Sequence, residues 1–168
     1  YHTKFEEYDD MMYNHKQFDK NFWFAGGAWT WTGYMPQNDF TLKTMLPALE
    51  AAKKNKTKNV FFTMWGDDGG ECSRFGVLPS LFYLSEVAKG NTDEEKIKTK
   101  FKQKFGLSYE DFMLLDKLDR IVGNGEGAHA YANPSKHMLV SDTFNGWLDY
   151  TVEKDAAHRY EALAEQLA

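Results

Sequence analysis

Along residues 4–20, Phe5, Tyr8, Met11, Met12, His15 and Phe18 recur at three- and four-residue steps with charges between them, a spacing that predicts an amphipathic helix with His15 in its core face. The next apolar run, "FWFAGGA" at 22–28, has no polar side and is too short for a helix. Such a run predicts a strand of a parallel sheet covered by helices on both faces. After the loop "WTWTGYMPQN", Asn38 or Asp39 is placed to cap a helix carrying Phe40, Leu42, Met45, Leu46 and Leu49. Its lysine-rich end lies at 53–58, and a kink is expected at Pro47. "NVFFTMW" at 59–65 repeats the buried-strand pattern, and "SRFGVLPSLFYLSEVAKG" predicts a further helix ended by Gly90.

The order is helix, strand, helix, strand, helix, with strand starts at Phe22 and Asn59. That spacing is near the roughly 30 residues per unit of an eight-stranded β/α barrel, and also suits a doubly wound sheet. Two parallel strands leave both edges unpaired, so the chain is expected to be the tail of a larger α/β domain. The absence of an initial methionine and the helical pattern of "HRYEALAEQLA" at the end give the same expectation. Beyond Gly90 the strand pattern stops. "NTDEEKIKTKFKQKFG" opens with Thr92 and Glu95 at capping-box spacing and continues with Ile97, Phe101 and Phe105. "LSYEDFMLLDKLDRIVG" has Ser108 as cap and Phe112, Leu115, Leu118 and Ile121 inside, "NGEGAHAYANPSKH" reads as a loop, and 143–168 return to helical spacing. The expected division is therefore an α/β part at 1–90 and an all-α part at 91–168.

Composition narrows the partners. The chain of 168 residues is 42% hydrophobic, 16% aromatic and carries a net charge of -5. It has no basic stripe for phosphates, so no nucleic acid is expected as a partner. No apolar run approaches the roughly 20 residues of a membrane span, so no membrane is expected either. The single cysteine, Cys72, excludes an internal disulfide and suggests a reducing, cytoplasmic setting.

The loops that leave the C-terminal ends of parallel strands form the ligand site in such folds. Here the first offers Trp29, Trp31 and Tyr34, and the second Trp65, Asp67, Asp68 and Glu71. Flat aromatic faces suit the C–H faces of a sugar, and carboxylates accept hydrogen bonds from its hydroxyls. A pocket for a neutral, polyhydroxylated ligand is expected, with no metal and no cofactor. Structural readings stay open beside it: Trp29 and Trp31 as filling of a barrel mouth, and Asp67-Asp68-Gly-Gly as a turn and helix cap. Cys72 reads as a buried inert thiol, and Gly26 and Gly27, inside a strand, as points of close approach.

"FAGGAWTWTGYMP" together with "VFFTMWGDDGGECSRFGVLPSLFYLSEVAKGN" resembles the last two strand-helix units of glycoside hydrolase family 20, the β-N-acetylhexosaminidases. The nearest likeness is to bacterial exo-β-N-acetylglucosaminidases with an extra helical domain after the barrel. The resemblance implies that 1–90 are the C-terminal portion of a (β/α)8 TIM barrel and 91–168 part of that all-α domain. The partners it implies are the remainder of the barrel and a carbohydrate ending in N-acetylglucosamine or N-acetylgalactosamine, with a homo-oligomer as a further state. The family's last strand ends in Trp-x-Glu, the tryptophan walling the N-acetyl pocket and the acid holding the outer hydroxyls. Trp65 and Asp67 stand at those positions here, the acid one methylene shorter. Where many members carry a tyrosine two positions before an aspartate on the preceding strand, this chain has "AWTWTG".

The mechanism implied is substrate-assisted retention, in which the acetamide oxygen attacks the anomeric carbon, a glutamate is the general acid and the adjacent aspartate orients the oxazolinium ion. In the family that Asp-Glu pair ends an earlier strand. The one Asp-Glu dipeptide of this chain, Asp93-Glu94, lies at the predicted helix start and is expected to serve capping. Residues 1–168 are thus expected to supply substrate-binding wall and no catalytic residue. The alternative is a non-catalytic carbohydrate-binding or assembly module.

Overall fold

The computed structural model describes residues 1–18, 21–67, 70–119, 135, 139, 140, 144 and 154–168. Helix α1 spans Phe5–Phe18, strand β1 Trp23–Gly27, helix α2 Asn38–Lys54 and strand β2 Asn59–Thr63. The strands pair in parallel from Trp23↔Asn59 to Gly27↔Thr63. A 3-10 turn, Arg74–Val77, leads into α3, Leu78–Ala88. Then follow α4 (Glu94–Phe105), α5 (Tyr109–Met113), a 3-10 segment (Leu114–Asp119) and α6 (Ala156–Leu167).

Helices α1, α2 and α3 lie on one face of the sheet. Tyr8 and Met12 of α1, Met45, Ala48, Leu49, Ala51 and Ala52 of α2, and Leu84 of α3 form one core, with Phe24, Val60 and Phe62 of the strands packed against it. Gly26 of β1 permits this closeness, since a methyl there would overlap Met45 and Phe62. The opposite face carries Trp23, 66% exposed, and Phe61, 45% exposed, with their rings in edge contact. The expectation of strands covered on both faces is therefore corrected: the apolar residues of the second face are present, but no described element packs on them.

Several local expectations change for identifiable reasons. In α1 the seam with α2 is made by Tyr8 and Met12, four residues apart, with Phe5 half-buried; His15, Met11 and Phe18 fall outside it and are exposed. Pro47 sits inside α2 without ending it. The N-cap of α2 is Gln37, whose side chain makes no capping bond, and neither Asn38 nor Asp39 caps. At α4 the cap is Asp93 in place of Thr92: its carboxylate accepts the Lys96 N–H at 3.1 Å. Ser108 caps α5 as expected, accepting from the Asp111 N–H. The helix expected to run from there to Ile121 instead tightens into a 3-10 segment after Met113, while Ile121 lies outside the described residues.

The helical half has its own aromatic centre. Phe101 of α4, fully buried, touches the rings of Phe82, Phe105, Tyr109 and Phe112. Glu86 of α3 ties that half to the first, accepting from Lys100 at 2.6 Å and from Lys89 and Asn91 at 3.2 Å each. Among the described residues no helix is long and apolar enough to cross a membrane.

Candidate functional site

Because β1 and β2 are parallel and in register, the loops that follow them leave the sheet at the same end. The two loops are joined by hydrogen bonds to main-chain carbonyls. The Ala28 N–H donates to the Thr63 carbonyl at 2.9 Å, the Thr30 hydroxyl to the Trp65 carbonyl at 2.7 Å, and the Ser73 N–H to the Tyr34 carbonyl at 3.4 Å. Trp31-Tyr34 and Trp65-Asp67 thereby belong to one rim.

Trp29 is the inner member of that rim. It is 7% exposed, its backbone N–H donates to the Thr41 hydroxyl at 2.8 Å, and its ring meets Phe40 edge-on at 4.5 Å. Trp31, half-buried, lies over it with ring centroids 4.5 Å apart, and Tyr1 packs on both. A side chain at Gly27 would collide with Tyr1 and Trp31, which accounts for the second glycine of the strand. Tyr34 is half-buried, whereas Trp65, Asp67 and Glu71 are exposed. Asp68 lies outside the described residues. Cys72 is buried, and burial, with the Asp119 and Asp116 carboxylates adding to it, pushes its thiol up to about 12. The thiolate, the nucleophilic form, is thereby disfavoured at neutral pH.

The residues that shape this rim include two that the sequence reading passed over. Asp116 and Asp119, on the 3-10 segment, are 2% and 1% exposed. Asp116 accepts the Asn38 amide at 2.9 Å and the Asp39 N–H at 2.7 Å, so the start of α2 is capped from 77 residues away. The same Asn38 amide nitrogen donates to the Gly76 carbonyl at 2.9 Å, bringing the second loop into the junction. Asp119 accepts the Met35 N–H at 3.3 Å and the Ser135 N–H at 3.0 Å. Burial pushes the Asp116 carboxyl up to about 6 and also raises that of Asp119. Gly33 is required beneath Asp119, since a methyl there would overlap the carboxylate. In sequence Asp116 and Asp119 look like the polar face of a helix, and the local cap candidates Asn38 and Asp39 leave no sign that the α2 start takes its acceptor from elsewhere.

Residues 110–168 match the family described as the Glycoside Hydrolase 20C C-terminal domain. The match, over about a third of the chain, supports a glycoside hydrolase family 20 fragment. Asp116 and Asp119 both lie within the matched 20C segment. No curated protein matches the chain.

Proposed function

We propose that residues 1–90 are the last two strand-helix units of a (β/α)8 barrel, that 91–168 are part of its helical C-terminal domain, and that the parent protein is a retaining exo-β-N-acetylhexosaminidase. The observation that carries this reading is the shared rim: an aromatic wall and an exposed carboxylate on two loops bonded to each other at the same end of a parallel pair. The 20C match supports the family setting independently, because it falls on residues other than the rim. The one-sided layering is a third support. A barrel places its helices outside and fills its interior from the other strand face, the role that suits Trp23 and Phe61.

In this reading Trp31 and Trp65 offer faces to the sugar ring and the N-acetyl group, with Trp29 backing Trp31 from below. Asp67 accepts hydrogen bonds from the outer hydroxyls. The acetamide oxygen of the substrate is the nucleophile, and the Asp-Glu pair that assists it lies in the parent outside these residues. Asp93-Glu94 is not that pair, since Asp93 caps α4 and Glu94 bonds Lys98 at 2.8 Å on the surface.

The test uses the parent protein and an aryl N-acetyl-β-glucosaminide. Asp67→Asn keeps the shape and loses a charge-assisted bond worth roughly 1.5–3 kcal/mol, so KM rises by more than about tenfold. An unchanged KM would remove Asp67 from the site. A parent that binds N-acetylglucosamine without hydrolysing the glycoside would favour the non-catalytic module.

A further inference from the structure

We propose that Asp116 and Asp119 are positioning residues through which the 20C C-terminal segment holds the loop after β1 in the shape that presents Trp31 and Tyr34 to the ligand. The proposal rests on the reading of that loop as part of a sugar-binding wall.

Both carboxylates are buried, and a buried carboxylate is costly unless its oxygens accept hydrogen bonds. Their bonds go mainly to one stretch of chain. Asp119 accepts from the Met35 N–H, and Asp116 from the Asn38 amide and the Asp39 N–H. A helix start alone does not need this arrangement, since one local Ser or Asp would cap it. The local N-cap residue is otherwise engaged: the Gln37 side-chain amide donates to the Thr32 hydroxyl at 2.9 Å, inside the loop. Gly33 shows the same fit from the other side, because the loop backbone leaves room there for the Asp119 carboxylate and nothing larger than hydrogen on its own Cα. The Ser135 N–H shares Asp119, so the contact continues into the matched segment. The Asn38 amide, bonded to both Gly76 and Asp116, extends the hold to the second loop.

Three variants of the parent protein test this: Asp119→Asn, Asp116→Asn and Gly33→Ala, the last displacing Asp119 without changing charge. Two measurements are made on each: amide hydrogen exchange of peptides covering 28–39, and KM and kcat for an aryl N-acetyl-β-glucosaminide. The expected result is exchange at 28–39 faster by about tenfold or more, with KM raised about tenfold and kcat changed less than about threefold. Circular dichroism identifies folded variants, and a carboxamide variant that does not fold is replaced by Gly33→Ala as the deciding one. Unchanged exchange at 28–39 in folded variants would overturn the holding role. Faster exchange with an unchanged KM would reduce both aspartates to structural residues and overturn the positioning role. A parent without turnover would remove the proposed function, and exchange at 28–39 would then decide the holding role alone.

Discussion

Asp116 is a carboxyl group carried into the interior to receive two hydrogen bonds, and its acidity records the conflict. Burial raises it to about 6, against the pull of the Asp39 and Asn38 donors. A folded value above the unfolded 3.8 means that its contribution to stability is complete below 3.8 and is lost as pH rises through about 6. Holding the group charged at neutral pH costs on the order of 3 kcal/mol. Glu86 runs the other way, lowered to about 2 by its bonds from Lys100, Asn91 and Lys89. Its contribution is present above 4.5 and lost as pH falls toward 2. Thermal melting should therefore peak at about pH 4 and decline on both sides. In Asp116→Asn the alkaline decline should flatten. A wild-type melting temperature that does not fall between about pH 5 and pH 7 would contradict the buried charge.

Among the elements, the start of α4 separates two cap assignments cleanly. Asp93→Ala should cost about 1 kcal/mol and Thr92→Ala less than about 0.5 kcal/mol, measured by urea unfolding. The reverse order would restore Thr92 as the cap. Phe101→Ala should cost about 3–5 kcal/mol, since a fully buried ring with four aromatic neighbours leaves a cavity that helices cannot close. A loss below about 1 kcal/mol would mean that this cluster is not the core of the helical half. The helices and strands themselves were legible because their apolar spacing reports local geometry, as Tyr8-Met12 and Ile97-Phe101 illustrate. The local cap at Ser108 was legible, whereas at α4 two cap-forming residues stand side by side and the spacing pointed to Thr92 where Asp93 caps. The α2 start was not legible, because its acceptor lies on the far 3-10 segment and no local pattern records it. His15 was misread for a related reason: four-residue spacing says which side of a helix a residue lies on, but not where the neighbouring helix ends. In the rim, the common end of the two strands followed from their parallel order. That Trp29 would lie beneath Trp31 was not visible, since alternate residues of a loop carry no fixed facing.

At the scale of the molecule, three helices on one side of two strands leave Trp23 and Phe61 in the open. The 168-residue chain alone should self-associate through this face, observable by sedimentation. Trp23→Lys with Phe61→Lys should reduce that association and leave its melting temperature within a few degrees. On the proposed barrel reading, the same pair in the parent should be destabilising by several kcal/mol, because the lysines would lie in a closed barrel interior. Equal association of the wild-type and double-variant chains would point to another surface.

The cap on α2 also sets an order of events in time. Asp116 follows Asp39 by 77 residues, so at about 5–20 residues per second the strands and α2 exist for roughly 4–15 s of synthesis before their acceptor is made. During that interval the Asp39 N–H at the start of α2 lacks its carboxylate acceptor, and the loop beside it is held by its own bonds alone, among them Thr30 to Trp65 and Gln37 to Thr32. The contact that completes them is one of high sequence separation, the kind whose loop-closure entropy slows folding. The rim therefore should reach its final shape only after Asp116 and Asp119 have been made and have closed on residues 35–39.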